Sequence, residues 1–253
     1  MQVKAKKTRI ALLISLMNRF LLLFDIDGTL LRLYPSVAAP IFARAIRQVL
    51  NIDINLHPSL SFAGRTDYGI LREILDHNKF SDSLLKEKIN EIYDIIYQDF
   101  QNLLSDATIT ILPGVRQLLD LLNNDNRFTL ALLTGNFEKN AQLKIGYFNL
   151  QHYFKFGVYG DFIANRNELP LQALKLANSS MYNYNFLPEQ CLVIGDTASD
   201  IESAKQAKMH SLAVATGLSG KNELATYSPD LLFENFADYQ YVYNSILNLF
   251  NIK

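Results

Sequence analysis

The sequence predicts an α/β fold, a Rossmann-like parallel sheet with helices on both faces and an inserted all-helical subdomain. Three observations lead there. Short apolar runs ending in Asp, Gly or Thr recur along the chain, as expected of strands buried on both faces and bounded by turns. Segments with helical spacing alternate with these runs, which is the order of a parallel sheet. One long stretch, from about Tyr34 to Ala107, breaks the alternation and carries only helical patterns.

Taken in order, the predicted strands are Phe20–Phe24 before Asp25, Phe128–Leu133 before Thr134-Gly135, and Phe156–Tyr159 before Gly160-Asp161. Leu192–Ile194 before Gly195-Asp196 and Leu212–Ala215 before Thr216-Gly217 complete the set. The helical patterns between them are Pro113–Leu122, Phe137–Ile145, Pro170–Ala177 and Ile201–Lys208. In the insertion, Leu85, Ile89, Ile92, Ile96, Phe100 and Leu103 recur every three or four residues and trace one face of a long helix, with Ser81 or Asp82 available to cap its start. These boundaries give a core of residues 18–33 and 108–253 and a helical cap of residues 34–107. Residues 1–17 read as an N-terminal extension. Lys4, Lys6, Lys7 and Arg9 ahead of Ile10–Met17 imitate a secretory signal, but the run ends at Asn18-Arg19 without a small-residue cleavage site. It is also too short to span a bilayer, so no stable membrane association is expected.

Composition removes several function classes. Lys and Arg number 24 against 25 Asp and Glu, for a net charge of −1, which argues against a nucleic-acid binder because such proteins need a basic field. With 49% hydrophobic and 19% charged residues the chain is not intrinsically disordered. Cys191 is the single cysteine, so an internal disulfide and a cysteine metal cluster are excluded and a reducing, cytoplasmic setting is expected. His57, His77, His152 and His210 show no metal-ligand spacing.

The polar residues that follow the apolar runs fall at the carboxyl ends of the strands, where open parallel sheets bind ligands. The first strand runs into Asp25-Ile26-Asp27-Gly28-Thr29-Leu30, with Gly28 allowing close backbone approach. The next delivers a hydroxyl from Thr134 and backbone N–H groups at Gly135 and Asn136. A later strand ends in Asp196, with Asp200 near the start of the following helix, where a helix-capping role is also open to it. Asp25, Asp27, Asp196 and Asp200 along one edge cannot stay ionised and desolvated without a cation. A sparse set of hard oxygen ligands favours Mg²⁺.

Asp-x-Asp-Gly-Thr-Leu at 25–30, Thr134-Gly135-Asn136 after an apolar strand, and Gly-Asp-Thr-x-x-Asp at 195–200 together resemble the haloacid dehalogenase superfamily. The resemblance covers nearly the whole chain after Met17, and the helical insertion resembles the C1-type cap of its phosphoglycolate-phosphatase-like members. It implies a Mg²⁺-dependent phosphatase acting on a small phosphorylated metabolite, phosphoglycolate being the nearest family substrate. Asp25 would be the nucleophile that forms an aspartyl-phosphate, Asp27 the general acid and then base, and Thr134 a hydrogen-bond partner of the transferring phosphoryl group. Asp25, Asp196 and the backbone carbonyl of Asp27 would hold the metal, with Asp200 supporting it through water. An acid at Asp27 points to phosphoryl transfer rather than carbon–halogen cleavage, which needs no proton for a leaving alkoxide.

The family places a lysine ahead of a proline-containing helix start, but none lies in the segment from Asp161 to Pro170. Arg166 is the cation there, with Lys175 on the next helix as the alternative. A fixed cation facing the phosphate is required because one Mg²⁺ does not offset four carboxylates and a dianionic substrate. In the cap, Ser61–Asp67 resembles a substrate-specificity loop, with Gly64 and Arg65 as binding candidates; a helix start capped by Thr66 or Asp67 is the competing reading. Two other functions share the motifs or the sheet: a β-phosphoglucomutase-like phosphomutase, and a non-enzymatic phospho-receiver module, which the insertion argues against.

Overall fold

The computed structural model describes residues 19–34 and 38–252; the expected extension over 1–17 lies outside them. Six strands form one parallel sheet: β1 (Phe20–Phe24), β4 (Phe128–Leu133), β5 (Gly157–Val158), β6 (Cys191–Gly195), β7 (His210–Val214) and β8 (Leu231–Phe233). Their spatial order is β5-β4-β1-β6-β7-β8. The chain therefore leaves β1 toward β4 on one side and returns to β6 on the other, so the strand order reverses beside β1. A crevice opens at such a switch point, beyond the carboxyl ends of the strands.

Side chains alternate across a strand, and here both faces are covered. Phe20, Leu22 and Phe24 of β1 share a cluster with Leu118, Leu119 and Leu122 of α4 (Val115–Asn124) and with Val242 and Ile246 of the last helix, Tyr239–Leu249. Leu21 and Leu23 face the opposite layer, with Leu169, Ala173 and Ala177 of α6 (Leu169–Ala177) and Ala204 of α7 (Ala198–Gln206). Two-sided burial is why β1 reads as an unbroken apolar run, and each fully buried Leu there contributes roughly 2 kcal/mol by transfer from water.

Between β1 and β4 lie α1 (Ala38–Leu50), α2 (Asp67–His77) and α3 (Asp82–Leu103), which bury their own cluster of Phe42, Ile46, Leu71, Ile74, Ile89, Ile92, Ile96 and Phe100. Ser81 is the residue before α3, but its hydroxyl pairs with that of Ser83 instead of capping the helix. The helices leave and rejoin the sheet unit through a short antiparallel ribbon, β2 (Leu31–Leu33) paired with β3 (Ile109–Ile111). Phe137, just ahead of α5 (Glu138–Tyr147), joins the helical cluster by stacking on Tyr93 at 4.2 Å between centroids and 11° between planes. The Tyr93 hydroxyl also donates to the Asp161 carbonyl at 2.8 Å. No helix among the described residues is long and apolar enough to cross a membrane.

Candidate active site

The ends of β1, β4 and β6 present Asp25, Thr134 and Asp196 to one cavity of about 460 Å³, roofed by residues of the α1–α3 insertion. That volume lies in the ordinary range for small-molecule sites. Oxygens of Asp25, Asp196 and Asp200 all lie within 4.8 Å of one another, and all three residues are buried. Burial raises the Asp25 carboxyl to about 6 against the opposing pull of Arg166, with Asp200 and Asp27 adding to the rise. The Asp196 carboxyl is also held well above its ordinary value, first by burial and then by its neighbours Asp200 and Asp25. Three buried carboxylates facing one another favour a bound cation, and their hard oxygens fit Mg²⁺.

Arg166 opens a single 3-10 turn, Arg166–Glu168, directly before α6. Its guanidinium is buried and meets Asp200 Oδ1 through Nε at 3.1 Å and Nη2 at 2.5 Å, and Asp25 Oδ1 at 3.1 Å. Burial alone would weaken its proton affinity, but Asp200 and Asp25 outweigh that and hold it firmly protonated. Lys175 is exposed on α6 and does not line the cavity.

Asp200 is placed differently from a simple helix cap. Thr197 precedes α7, and Asp200 reaches back from the first turn so that its Oδ2 accepts from the Thr197 amide at 3.0 Å and hydroxyl at 2.6 Å. Its Oδ1 is taken by Arg166. With both oxygens engaged, Asp200 anchors the arginine.

Asp27 stands apart from the three-carboxylate cluster. Its Oδ2 accepts from Lys144 Nζ at 2.6 Å and from Asn136 Nδ2 at 2.8 Å, while Oδ1 is buried with no hydrogen-bond partner. Lys144 was not anticipated from the sequence. It lies on α5, only 3% of its side chain is exposed, and its Nζ also meets Asn136 Oδ1 at 2.6 Å. Helical side chains lean toward the helix amino terminus, which is how a lysine this far along α5 reaches the loop before it. A signal was present: Asn140 and Lys144 share the buried face with Ala141 and Ile145, and a lysine on an apolar stripe needs a buried partner. Asn136 ties the elements together, because its Nδ2 also donates to Thr134 Oγ1 at 2.8 Å. Thr134 Oγ1 accepts a second bond from the Asn136 amide at 3.3 Å, so the hydroxyl proton remains to donate into the cavity.

Two glycines are demanded by close approach. Gly28 has φ +81°, and a Cβ there would lie 2.2 Å from Asp196 Oδ2. A Cβ on Gly135 would lie 1.9 Å from the Arg65 carbonyl, so this glycine lets the loop of residues 61–67 seat on the end of β4. Gly64 lies over Ser199 and Thr197 at the start of α7. Thr66 caps α2, its Oγ1 accepting from the Gly69 amide at 3.1 Å. Arg65 lines the cavity, but its guanidinium pairs with Glu73.

Asp67 seals the same junction. Its amide donates to the Gly135 carbonyl at 2.7 Å and its Oδ2 accepts from the Phe137 amide at 2.9 Å. Burial pushes its carboxyl up to about 7, with Lys144 and the Phe137 amide pulling the other way. Because the folded value exceeds the unfolded one, this group weakens the fold progressively as pH rises from about 4 to 7. Asp67→Asn, which keeps an acceptor for Phe137, is expected to remove that part of the pH dependence, worth at most roughly 1.4 kcal/mol per pH unit. Urea unfolding of both proteins at pH 5, 6 and 8 checks it: the variant gains on wild type as pH rises, and parallel curves would contradict the assignment.

A buried carboxylate site at the switch point of a parallel sheet, roofed by an inserted helical unit, defines the class of a small-molecule enzyme. The haloacid dehalogenase-like hydrolase family matches residues 22–214, and the chain belongs to it. Among its relatives, the phosphoglycolate phosphatase of Vibrio cholerae is 27% identical over 227 residues, covering 85% of this chain and 92% of that protein. The phosphoglycolate phosphatase of Salmonella choleraesuis is 24% identical over 229 residues, covering 85% and 88%. Among solved structures, the β-phosphoglucomutase of Clostridium difficile superposes with a TM-score of 0.67 at 19% identity, covering 92% of this chain and 99% of that one. A hydrolase from Pseudomonas syringae superposes with a TM-score of 0.65 at 20% identity, covering 90% and 99%. These likenesses establish the shared fold.

Proposed function

We propose that this chain is a Mg²⁺-dependent phosphomonoesterase that works through an aspartyl-phosphate on Asp25. The observation that carries the reading is the division of labour between the two aspartates at the end of β1. Asp25 lies with Asp196 and Arg166 in the charge-neutralising cluster, whereas Asp27 is fixed by Lys144 and Asn136 with its Oδ1 unpartnered. Asp25 attacks phosphorus as the bond to the leaving oxygen breaks, and Asp27 supplies the proton that oxygen takes. In the second half, water attacks the phosphoryl group and Asp27 accepts its proton, which frees Asp25. Thr134 donates to a phosphoryl oxygen, and Arg166 holds Asp25 and offsets negative charge beside it. Asp25 and Asp196, with the Asp27 backbone carbonyl, would hold Mg²⁺, which supplies charge neutralisation and a template for the phosphate.

The division into a core of 18–33 and 108–253 and a cap of 34–107 belongs to this proposal and is supported by the separate apolar clusters. The relatives' names make phosphoglycolate the first compound to assay among small phosphorylated metabolites. Phosphate release from such a panel is expected to stop on chelation and return with added Mg²⁺. Full activity after exhaustive chelation would contradict the metal reading.

A further inference from the structure

The cavity has two chemically different ends. Asp25, Asp27, Thr134, Arg166 and Asp196 form one. An apolar wall is built from Leu33, Phe42, Leu60, Phe62 and Ile70, and the Phe62 ring stands edge-on to Phe42 at 5.1 Å between centroids. Phe100, by contrast, lies beside the catalytic residues, its ring centroid 5.3 Å from Lys144 Nζ. Two further lining residues leave apolar surface in solvent, Leu218 at 73% and Tyr34 at 47% exposure. Ligand cavities are lined predominantly by such apolar side chains with a few placed polar groups.

Among the described residues, three of the four cations that line the cavity are already paired with carboxylates. Arg166 is held by Asp200 and Asp25, Lys144 by Asp27, and Arg65 by Glu73. Arg32 is exposed and spends Nη2 on the Thr216 carbonyl at 3.1 Å. An acidic leaving group placed against the aliphatic and aromatic wall would lose its water, which is costly, and of these four cations only the exposed Arg32 lacks a carboxylate partner to offset that cost. A sugar would bury hydroxyls against the same wall.

Building on the phosphatase reading above, we propose that the preferred substrate is a phosphomonoester of an uncharged, apolar alcohol, with the phosphate at Asp25 and the hydrocarbon against Phe42, Leu60, Phe62 and Ile70. The reaction is the same: the phosphorus–oxygen bond to the alcohol breaks, the alcohol oxygen takes its proton from Asp27, and phosphate leaves after hydrolysis at Asp25.

The test compares benzyl phosphate with phosphoglycolate, glycerol 3-phosphate and glucose 6-phosphate in Mg²⁺, and benzylphosphonate with methylphosphonate as non-hydrolysable competitors. Benzyl phosphate is expected to exceed each of the others at least tenfold in kcat/KM. Benzylphosphonate is expected to bind at least tenfold more tightly than methylphosphonate, and Phe62→Ser to bring that ratio close to one. Methylphosphonate binding to the Phe62→Ser protein shows that its phosphate end is still folded, and the wild-type ratio stands without the variant. A preference for phosphoglycolate or a sugar phosphate, or equal binding of the two phosphonates by wild type, overturns the proposal. Absence of phosphate release from every ester would instead overturn the phosphatase reading, and the phosphonate ratio would still decide whether the cavity selects hydrocarbon.

Discussion

Asp25→Asn is expected to abolish turnover, lowering kcat by at least about 10⁴, in the range seen when a nucleophile is removed from a covalent mechanism. The substitution changes charge and almost no volume. An amide oxygen at this position still accepts from Arg166, whose Nη2 lies 3.1 Å from Asp25 Oδ1, and the β1 backbone bond from the Asp25 amide to the Ile194 carbonyl at 2.9 Å is untouched. Burial already disfavours the ionised carboxylate in the metal-free protein, so the neutral amide carries no penalty of desolvated charge. The melting temperature should therefore stay close to wild type while phosphate release and acid-trapped phosphoenzyme both disappear. Activity within tenfold of wild type would remove Asp25 from the nucleophile's place.

Much of this arrangement can be read from local pattern, and the rest depends on three-dimensional coincidence. Apolar runs ending at Asp25, Thr134 and Asp196 mark the ends of β1, β4 and β6 because two-sided burial leaves Thr129 as the single hydroxyl-bearing position inside these strands. The stripe from Leu85 to Phe100 is legible for the same reason, as a periodic face that must be buried. The β2–β3 ribbon is three residues per strand, too short for any period to emerge. β8 is only half-buried and lacks the contrast that marks the central strands. Side-chain partners are harder still. Lys144 and Asp27 are far apart in the chain and meet only because α5 folds back over the end of β1. The commitment of Arg65 to Glu73 is likewise invisible in the Ser61–Asp67 motif. Asp200 is a mixed case: its position near a helix start carries its capping bond to the Thr197 amide, but nothing local shows that Arg166 donates to its other oxygen.

Arg166→Ala is expected to lower kcat/KM by at least about 10², comparable to losing one preorganised stabilising group. A dianionic phosphate arriving at Asp25 meets like charge from Asp25 and Asp196, and Arg166 is the buried cation that touches this cluster. Lys144 cannot replace it, because Asp27 and Asn136 already hold its ammonium at 2.6 Å. Removing the guanidinium also leaves Asp200 Oδ1 without its partner in a buried setting, which costs roughly 3–5 kcal/mol when a buried pair is broken. Stability and kinetics must then be measured together, with kcat/KM taken well below the variant's melting temperature. Arg166→Lys separates the two effects. It keeps a positive charge but cannot reproduce the paired Nε and Nη2 contacts to Asp200, so partial recovery of rate is expected with incomplete recovery of stability. Lys175→Ala, on the exposed face of α6, should change neither. A nearly silent Arg166→Ala beside a crippling Lys175→Ala would show that the cation facing the phosphate has been misassigned.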